Sequence, residues 1–167
     1  DVEGNNLGKL VNWLKKDNFF IGGAVATPYK EKIIKYLDIV EEEAEKIGAV
    51  NLIYKKNNKL IGSNTDGSGA LYSLEKKLAS LNINIKKLNN VIIIGSGGAA
   101  KAVSIYLAKK IGKNNNIFFF GRNRSEIKKI IDSCNIFTKC YSISPDNLNN
   151  KLKNTKLIIN CTSVGFE

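Results

Sequence analysis

Leu7, Leu10, Val11 and Leu14 recur at helical spacing after Gly4-Asn5-Asn6, so a helix is predicted from residue 7. Phe19-Phe20-Ile21 followed by Ala24-Val25-Ala26 reads as a short buried strand that Pro28 stops. Ile33, Ile34 and Leu37 share one face of a predicted helix over 30–37. A further helix carries Glu41, Glu42, Glu43 and Glu45, a solvated face, and ends near Gly48. Ala49–Tyr54 and Lys59–Ser63 read as strands joined across Asn57-Asn58, a hairpin signal. The stretch from Asp66 to Leu81 is amphipathic and predicts another helix.

Asn82–Asn90 is polar and asparagine-rich, and it marks a predicted boundary between two domains, 1–87 and 88–167. Beyond it the pattern changes. Val91-Ile92-Ile93-Ile94 is a continuous apolar run, the mark of a strand buried on both faces. Glycines follow, then a helix to Ile111, a second buried strand Ile117–Phe120, a helix over Ile127–Ser133, and a third buried strand Leu157–Ile159. This β-α-β-α-β order predicts the first half of a doubly wound parallel sheet. The expected fold class is α/β, a mixed-sheet domain followed by a partial Rossmann-like domain.

Composition narrows the chemistry. Lys and Arg together number 26 and Asp and Glu 15, a net charge of +11. Only two of those cations, Arg122 and Arg124, are arginines, and no basic block is interleaved with aromatics. A lysine-rich solvated surface is therefore expected rather than a nucleic-acid interface. There is no histidine, which excludes histidine-based triads and argues against a metal site. Proton transfer falls to Lys, Asp, Glu, Tyr or Cys. Three cysteines form neither a disulfide framework nor a CxxC pair, which predicts reduced thiols and a cytoplasmic or otherwise reducing compartment. No apolar run is long enough for a membrane span, so no membrane partner is expected. The opening Asp1-Val2-Glu3-Gly4 is neither basic nor apolar and lacks an initiator Met, which reads as a processed form or a piece of a longer chain.

The strand 91–94 runs into Gly95-Ser96-Gly97-Gly98-Ala99-Ala100 and then a helix. Glycines there permit a tight turn and close approach of a pyrophosphate, and the helix start offers free N–H groups. The second strand ends Phe120-Gly121-Arg122-Asn123-Arg124-Ser125. An acid at this point would bind ribose hydroxyls, yet none occurs before Glu126, and both arginines of the chain sit here. Guanidinium binds phosphate in a planar, bidentate way that ammonium does not reproduce. The predicted cofactor is therefore NADP.

Polar residues of the front half gather in Thr27-Pro28-Tyr29-Lys30, Gly48-Ala49-Val50-Asn51 and Asn64-Thr65-Asp66-Gly67. In order, Ala24–Lys30, Gly48–Leu52, Asn64–Gly67, Gly95–Ala100, Asn123–Ser125 and Asn160–Gly165 resemble the NVTxPxK, GAVNT, NTDG, GxGGAA, NRT and NATxxG segments of the shikimate dehydrogenase family (which also takes quinate). The resemblance implies a substrate-binding domain before the NADP-binding one, and reversible reduction of 3-dehydroshikimate to shikimate in the biosynthesis of chorismate and aromatic amino acids. It implies Lys30 and Asp66 as the catalytic pair, and Asn51, Thr27 and Asn64 as substrate contacts. Gly95, Ser96, Gly97, Gly98, Ala99, Arg122, Asn123, Arg124, Ser125, Thr162, Ser163 and Val164 would hold the cofactor. Both ends of the family's pattern are missing, so the chain reads as an internal fragment, of a homodimer or of a multifunctional enzyme.

Elementary chemistry agrees with that pair. Reducing a ketone needs hydride on carbon and a proton on oxygen. A lysine, pKa ~10.4 in water, can supply the proton and take it back, with a carboxylate to orient it. Ala24 and Ala26 replace the family's Asn and Thr. That change keeps two alternatives open: a dehydrogenase of quinate or a related polyol acid, and a non-catalytic NADP-binding module.

Overall fold

The computed structural model describes residues 6–164; Gly4 and Asn5 of the predicted helix start, and Gly165 of the last motif, lie outside them. The chain forms two compact units, 1–65 and 66–167.

In the first unit, helix α1 (Leu7–Lys16) and helix α2 (Glu42–Ile47) accompany a four-stranded sheet. Its strands are β1 (Gly22–Ala24), β2 (Ile39–Val40), β3 (Leu52–Lys56) and β4 (Lys59–Ser63), in the order β1-β3-β4-β2. β2 runs parallel to β4 and the other pairs are antiparallel, so the sheet is mixed as expected. Leu7, Val11, Val25, Ile33, Ala44, Val50, Ile53 and Leu60 form the core. Each fully buried aliphatic side chain contributes about 1.5–3 kcal/mol. Asn57 and Asn58 both take left-handed angles, φ 51° and 58°, the geometry of a two-residue hairpin turn that matches strand twist.

Two expectations fail here. Phe19 is 93% exposed and Ile21 is exposed too. β1 is an edge strand of only three residues, and from the apolar run before it Phe20 packs on the core while its neighbours Phe19 and Ile21 do not. The predicted helix over 30–37 is instead a set of turns with a 3-10 turn at Ile34–Tyr36. Its apolar face is real, since Ile33 is buried and Ile34 and Leu37 pack on the core. The Lys30 carbonyl, which in a helix would accept from the Ile34 N–H, accepts instead from the Val50 N–H at 2.8 Å.

In the second unit, β5 (Asn90–Ile94), β6 (Asn116–Phe120), β7 (Lys139–Ser142) and β8 (Leu157–Asn160) form a parallel sheet in the order β7-β6-β5-β8. Around it lie α3 (Asp66–Ser80), α4 (Gly98–Ile111), α5 (Arg124–Cys134) and α6 (Pro145–Leu152). Ile92, Phe118 and Ile143 pack beneath Leu148 and Leu152 of α6. Leu157–Asn160 is thus the fourth strand, not the third, and it is half-buried at an edge rather than buried on both faces. Sequence reading passed over β7 and α6. β7 is a short edge strand with one buried residue, and α6 buries none completely, so neither carries a strong apolar signal.

The predicted boundary at residue 87 falls inside this unit, because α3 packs against α4. A Cβ on Gly67 would stand 2.6 Å from the Ala102 carbonyl oxygen. The polar stretch before β5 is tied down as well. Ile85 and Leu88 are buried. The carboxamide of buried Asn115 donates to the carbonyls of Lys86 (3.0 Å) and Ile111 (2.7 Å) and accepts from the Asn89 N–H (2.8 Å).

Candidate functional site

In the first unit, backbone pairing draws the polar stretches together. The Val50 N–H donates to the Lys30 carbonyl at 2.8 Å, and the Val25 N–H to the Asn51 carbonyl at 2.8 Å. The buried Asn64 side chain donates to the Ala49 carbonyl at 3.0 Å. Asn51 and Thr65 clasp each other: Asn51 Oδ1 accepts from the Thr65 N–H at 2.8 Å, and Asn51 Nδ2 donates to Thr65 Oγ1 at 3.1 Å. That clasp fixes which face of the carboxamide points which way. Lys30 and Asn51 are half-buried, and Thr27 is exposed in the turn at Pro28. Gly48, at φ 72°, ends α2 in the left-handed cap and lets the chain turn into Ala49-Val50-Asn51. Asp66 belongs to the second unit, where it opens α3 and is exposed.

Glu41 departs from the solvated-face expectation. Its carboxylate accepts from the Tyr54 hydroxyl and from Ser63 Oγ, each at 2.7 Å, linking the α2 start to β3 and β4. The same carboxylate raises the Tyr54 phenol above its ordinary pKa.

In the second unit three loops meet at the carboxyl ends of β5, β6 and β8. Gly95 has φ 116°, donates to the Phe120 carbonyl at 2.9 Å, and lies against the Cys161 carbonyl. Gly97 caps α4, and Gly98 is its first residue. Gly97, Gly98 and Ala99 are exposed, and nothing lies within 4 Å of a Cβ built on Gly97 or Gly98. No acid occupies the first turn of α4, so its positive end is open to an anion. Ser96 is half-buried beside them.

The second loop is organised by its own hydrogen bonds. Asn123 Oδ1 caps α5, accepting from the Glu126 N–H at 3.2 Å and from Ser125 Oγ at 2.8 Å. Arg124 Nη1 donates to Ser142 Oγ at 2.7 Å and to the Ile143 carbonyl at 3.0 Å. Arg122 is exposed. Lys129 at 2.6 Å and Lys101 at 3.7 Å hold the Glu126 carboxyl below its ordinary pKa. Ser142 and Ile143 were missed from the sequence because their strand was.

The third loop is a turn built on Asn160. Its Oδ1 accepts from Thr162 Oγ1 at 2.7 Å and from the Thr162 N–H at 3.0 Å. Its Nδ2 donates to the Val164 carbonyl at 3.2 Å. Thr162 Cγ2 stands 3.3 Å from where a Gly95 Cβ would be, and Ser163 and Val164 are exposed. Burial pushes the Cys161 thiol up, and Cys134 beside Cys140 is held protonated. The predicted nucleotide residues thus share one edge of the sheet.

A glycine loop, an arginine-bearing loop and an asparagine-built turn on one edge of a parallel sheet define a Rossmann-like α/β protein, here preceded by a smaller mixed-sheet unit. Residues 1–53 match the family model of the shikimate dehydrogenase substrate binding domain. The chain is 42% identical over 167 residues to the NADP(+) shikimate dehydrogenase of Methanococcus maripaludis strain C6, covering 99% of this chain and 56% of that protein. Over nearly its whole length the chain is thus similar to shikimate dehydrogenases. A shikimate dehydrogenase crystallised with NADP+ superimposes with a TM-score of 0.77 at 34% identity, covering 99% of this chain and 55% of the other. The ligand-free 5-ketofructose reductase of Gluconobacter sp. strain CHM43 also gives 0.77, at 30% identity, covering 99% and 57%. The chain therefore spans little more than half the length of the curated relatives it matches.

Proposed function

We propose that the chain is part of an NADP-dependent shikimate dehydrogenase, which reversibly reduces 3-dehydroshikimate to shikimate. The observation that carries this reading is the pairing of motif order with place. The front-half stretches 27–30, 48–52 and 64–65 are bonded to one another in the first unit. The three back-half stretches share the carboxyl edge of the parallel sheet. In functional terms we assign 1–87 to the substrate domain and 88–167 to the cofactor domain.

The cofactor edge suits a phosphorylated dinucleotide. Open space over Gly97 and Gly98 admits a pyrophosphate against bare N–H groups, and Arg122 lies exposed where an acid would be needed for an unphosphorylated ribose. Gly95–Ala99, Arg122–Ser125 and Thr162–Val164 would hold it. When bound, the cofactor supplies the hydride.

Lys30 donates the proton to the nascent alkoxide and withdraws it in the reverse direction. Asp66, the other residue of the family's catalytic pair, supplies a carboxylate for a substrate hydroxyl. Asn51, Thr27 and Asn64 bind the substrate's hydroxyls, with the Asn51 carboxamide pre-set by Thr65. The free thiols favour the cytoplasm as the place of action.

The test is Lys30→Ala in the natural polypeptide, followed by nicotinamide absorbance. Turnover on shikimate should fall by about 10²–10⁴-fold with NADP binding unchanged. Near-normal turnover would remove Lys30 from the mechanism. A second reading, another polyol or keto sugar as substrate, is favoured by Ala24 and Ala26 standing where the family has polar residues. Comparing kcat/KM on shikimate, quinate and 5-ketofructose separates the two.

A further inference from the structure

We propose that the cavity between the parallel sheet and α6 is a second ligand site, which binds a small planar ring carrying a carboxylate. It does not depend on the dehydrogenase reaction assigned above.

The cavity has a volume of about 460 Å³ and an aromatic floor. Phe118 of β6 and Tyr141 of β7 are register partners, and their rings stack with centroids 5.4 Å apart and 25° between planes. Phe118 is buried, whereas Tyr141 is 46% exposed and offers ring surface to a ligand. Such surface favours an offset aromatic partner over an alkyl one. At one wall Lys151 of α6 holds its Nζ 4.5 Å from the Phe118 centroid. That ammonium forms no ion pair among the described residues, and neither does Lys139, which shares the Tyr141 face of β7. No acid lines the cavity among those residues, so an anion enters it without repulsion.

A second wall supplies an acceptor. The Asn154 carbonyl only accepts, so the Asn90 atom 3.0 Å from it is Nδ2. Asn90 Oδ1 then faces Asn116 Nδ2, which donates to it at 3.0 Å. Asn116 Oδ1 is left without a donor among the described residues. No fully buried side-chain oxygen there lacks a partner, so this one is open to solvent. It suits a hydroxyl hydrogen on the ring. The site lies away from the nucleotide edge. Asn116 opens β6 and Phe120 closes it, and a rise of ~3.3 Å per residue puts roughly 13 Å of strand between them. Only at Ser142–Ser144 does the cavity approach that edge.

The probes are benzoate and 4-hydroxybenzoate, with cyclohexanecarboxylate as the charge without the ring and benzyl alcohol as the ring without the charge. Each is titrated into the natural polypeptide, and the backbone amide shifts of Tyr141, Asn147 and Lys151 are followed by NMR, so that binding elsewhere does not register. Both aromatic acids should move these amides, 4-hydroxybenzoate with a severalfold lower Kd than benzoate. Cyclohexanecarboxylate and benzyl alcohol should bind about tenfold more weakly or worse. Lys151→Gln should weaken benzoate about tenfold, with benzyl alcohol and Tm unchanged. Tyr141→Leu should bring benzoate down to the level of cyclohexanecarboxylate. Saturating NADP+ should leave every Kd as it was. The proposal is overturned if neither aromatic acid moves these amides, if benzoate and cyclohexanecarboxylate bind equally, or if Lys151→Gln binds benzoate as the wild type does. Displacement of benzoate by NADP+ overturns it too, since the cavity would then belong to the cofactor edge.

Discussion

Gly95→Ala and Gly97→Ala, two residues apart in one loop, should fail in different ways. At Gly95 the backbone has φ 116°, a conformation that costs an L-residue about 1–3 kcal/mol. The new Cβ would also stand 3.0 Å from the Cys161 carbonyl oxygen and 3.1 Å from its carbon. Those atoms are the main chain between β8 and the Asn160 turn, so they yield only if the strand end moves. Overpacking of this kind adds about 1 kcal/mol or more. The expected loss is about 2–4 kcal/mol, a fall in Tm of at least roughly 8 °C for a unit of this size. Gly97 has φ −82° and ψ −172°, ordinary extended backbone, and nothing lies within 4 Å of its added Cβ. Its substitution should leave stability within about 0.5 kcal/mol. It should weaken NADP+ binding about tenfold if, as proposed, the pyrophosphate docks on this helix end, because the methyl would then stand in its path. Urea unfolding followed by circular dichroism, beside calorimetric titration with NADP+, gives both quantities for each variant. A Gly95→Ala protein as stable as wild type would refute the packing argument. A Gly97→Ala protein that binds normally would refute the placement of the pyrophosphate.

Two further substitutions probe the frame. Asn115→Ala removes three hydrogen bonds at a side chain 1% exposed, leaving the Asn89 N–H and two carbonyls without a partner; urea unfolding should show a loss of about 3 kcal/mol. Asp38 has a lowered pKa, held down first by the Lys15 ammonium at 2.5 Å and then by the Leu60 N–H. A carboxyl depressed in the folded state stabilises above its unfolded pKa and loses that contribution as pH falls through the folded value. Asp38→Asn should therefore flatten the decline of Tm between about pH 5 and pH 2, and an unchanged acid slope would count against it.

What could be read from the sequence followed the strength of each local signal. The run 91–94, the glycine loop and the helix to Ile111 are each dictated by neighbours in the chain, and each stands where expected. The Asn57-Asn58 hairpin is likewise set by its own two residues. Phe19 and Ile21 misled because an apolar run says nothing about whether a second layer exists to cover it. β7 was invisible because an edge strand needs only one buried residue, Cys140. At the site, residue types and order were legible, whereas the partners were not. The Thr65 clasp on Asn51 spans 14 residues, and the Arg124 latch to Ser142 spans 18. Such pairs are created by strand register, which no local window contains.

Four asparagines, Asn57, Asn58, Asn82 and Asn89, sit at positive φ between 51° and 62°. Glycine is the usual occupant of such positions, and it enters them from the widest range of unfolded conformers. Asparagine tolerates the left-handed region and visits far fewer alternatives beforehand. These asparagines thus stiffen the β3–β4 hairpin and the approach to β5 before either has formed. Exchange of these four for glycine would leave the native contacts intact and still lower stability, by enlarging the disordered ensemble from which the turns must be recovered.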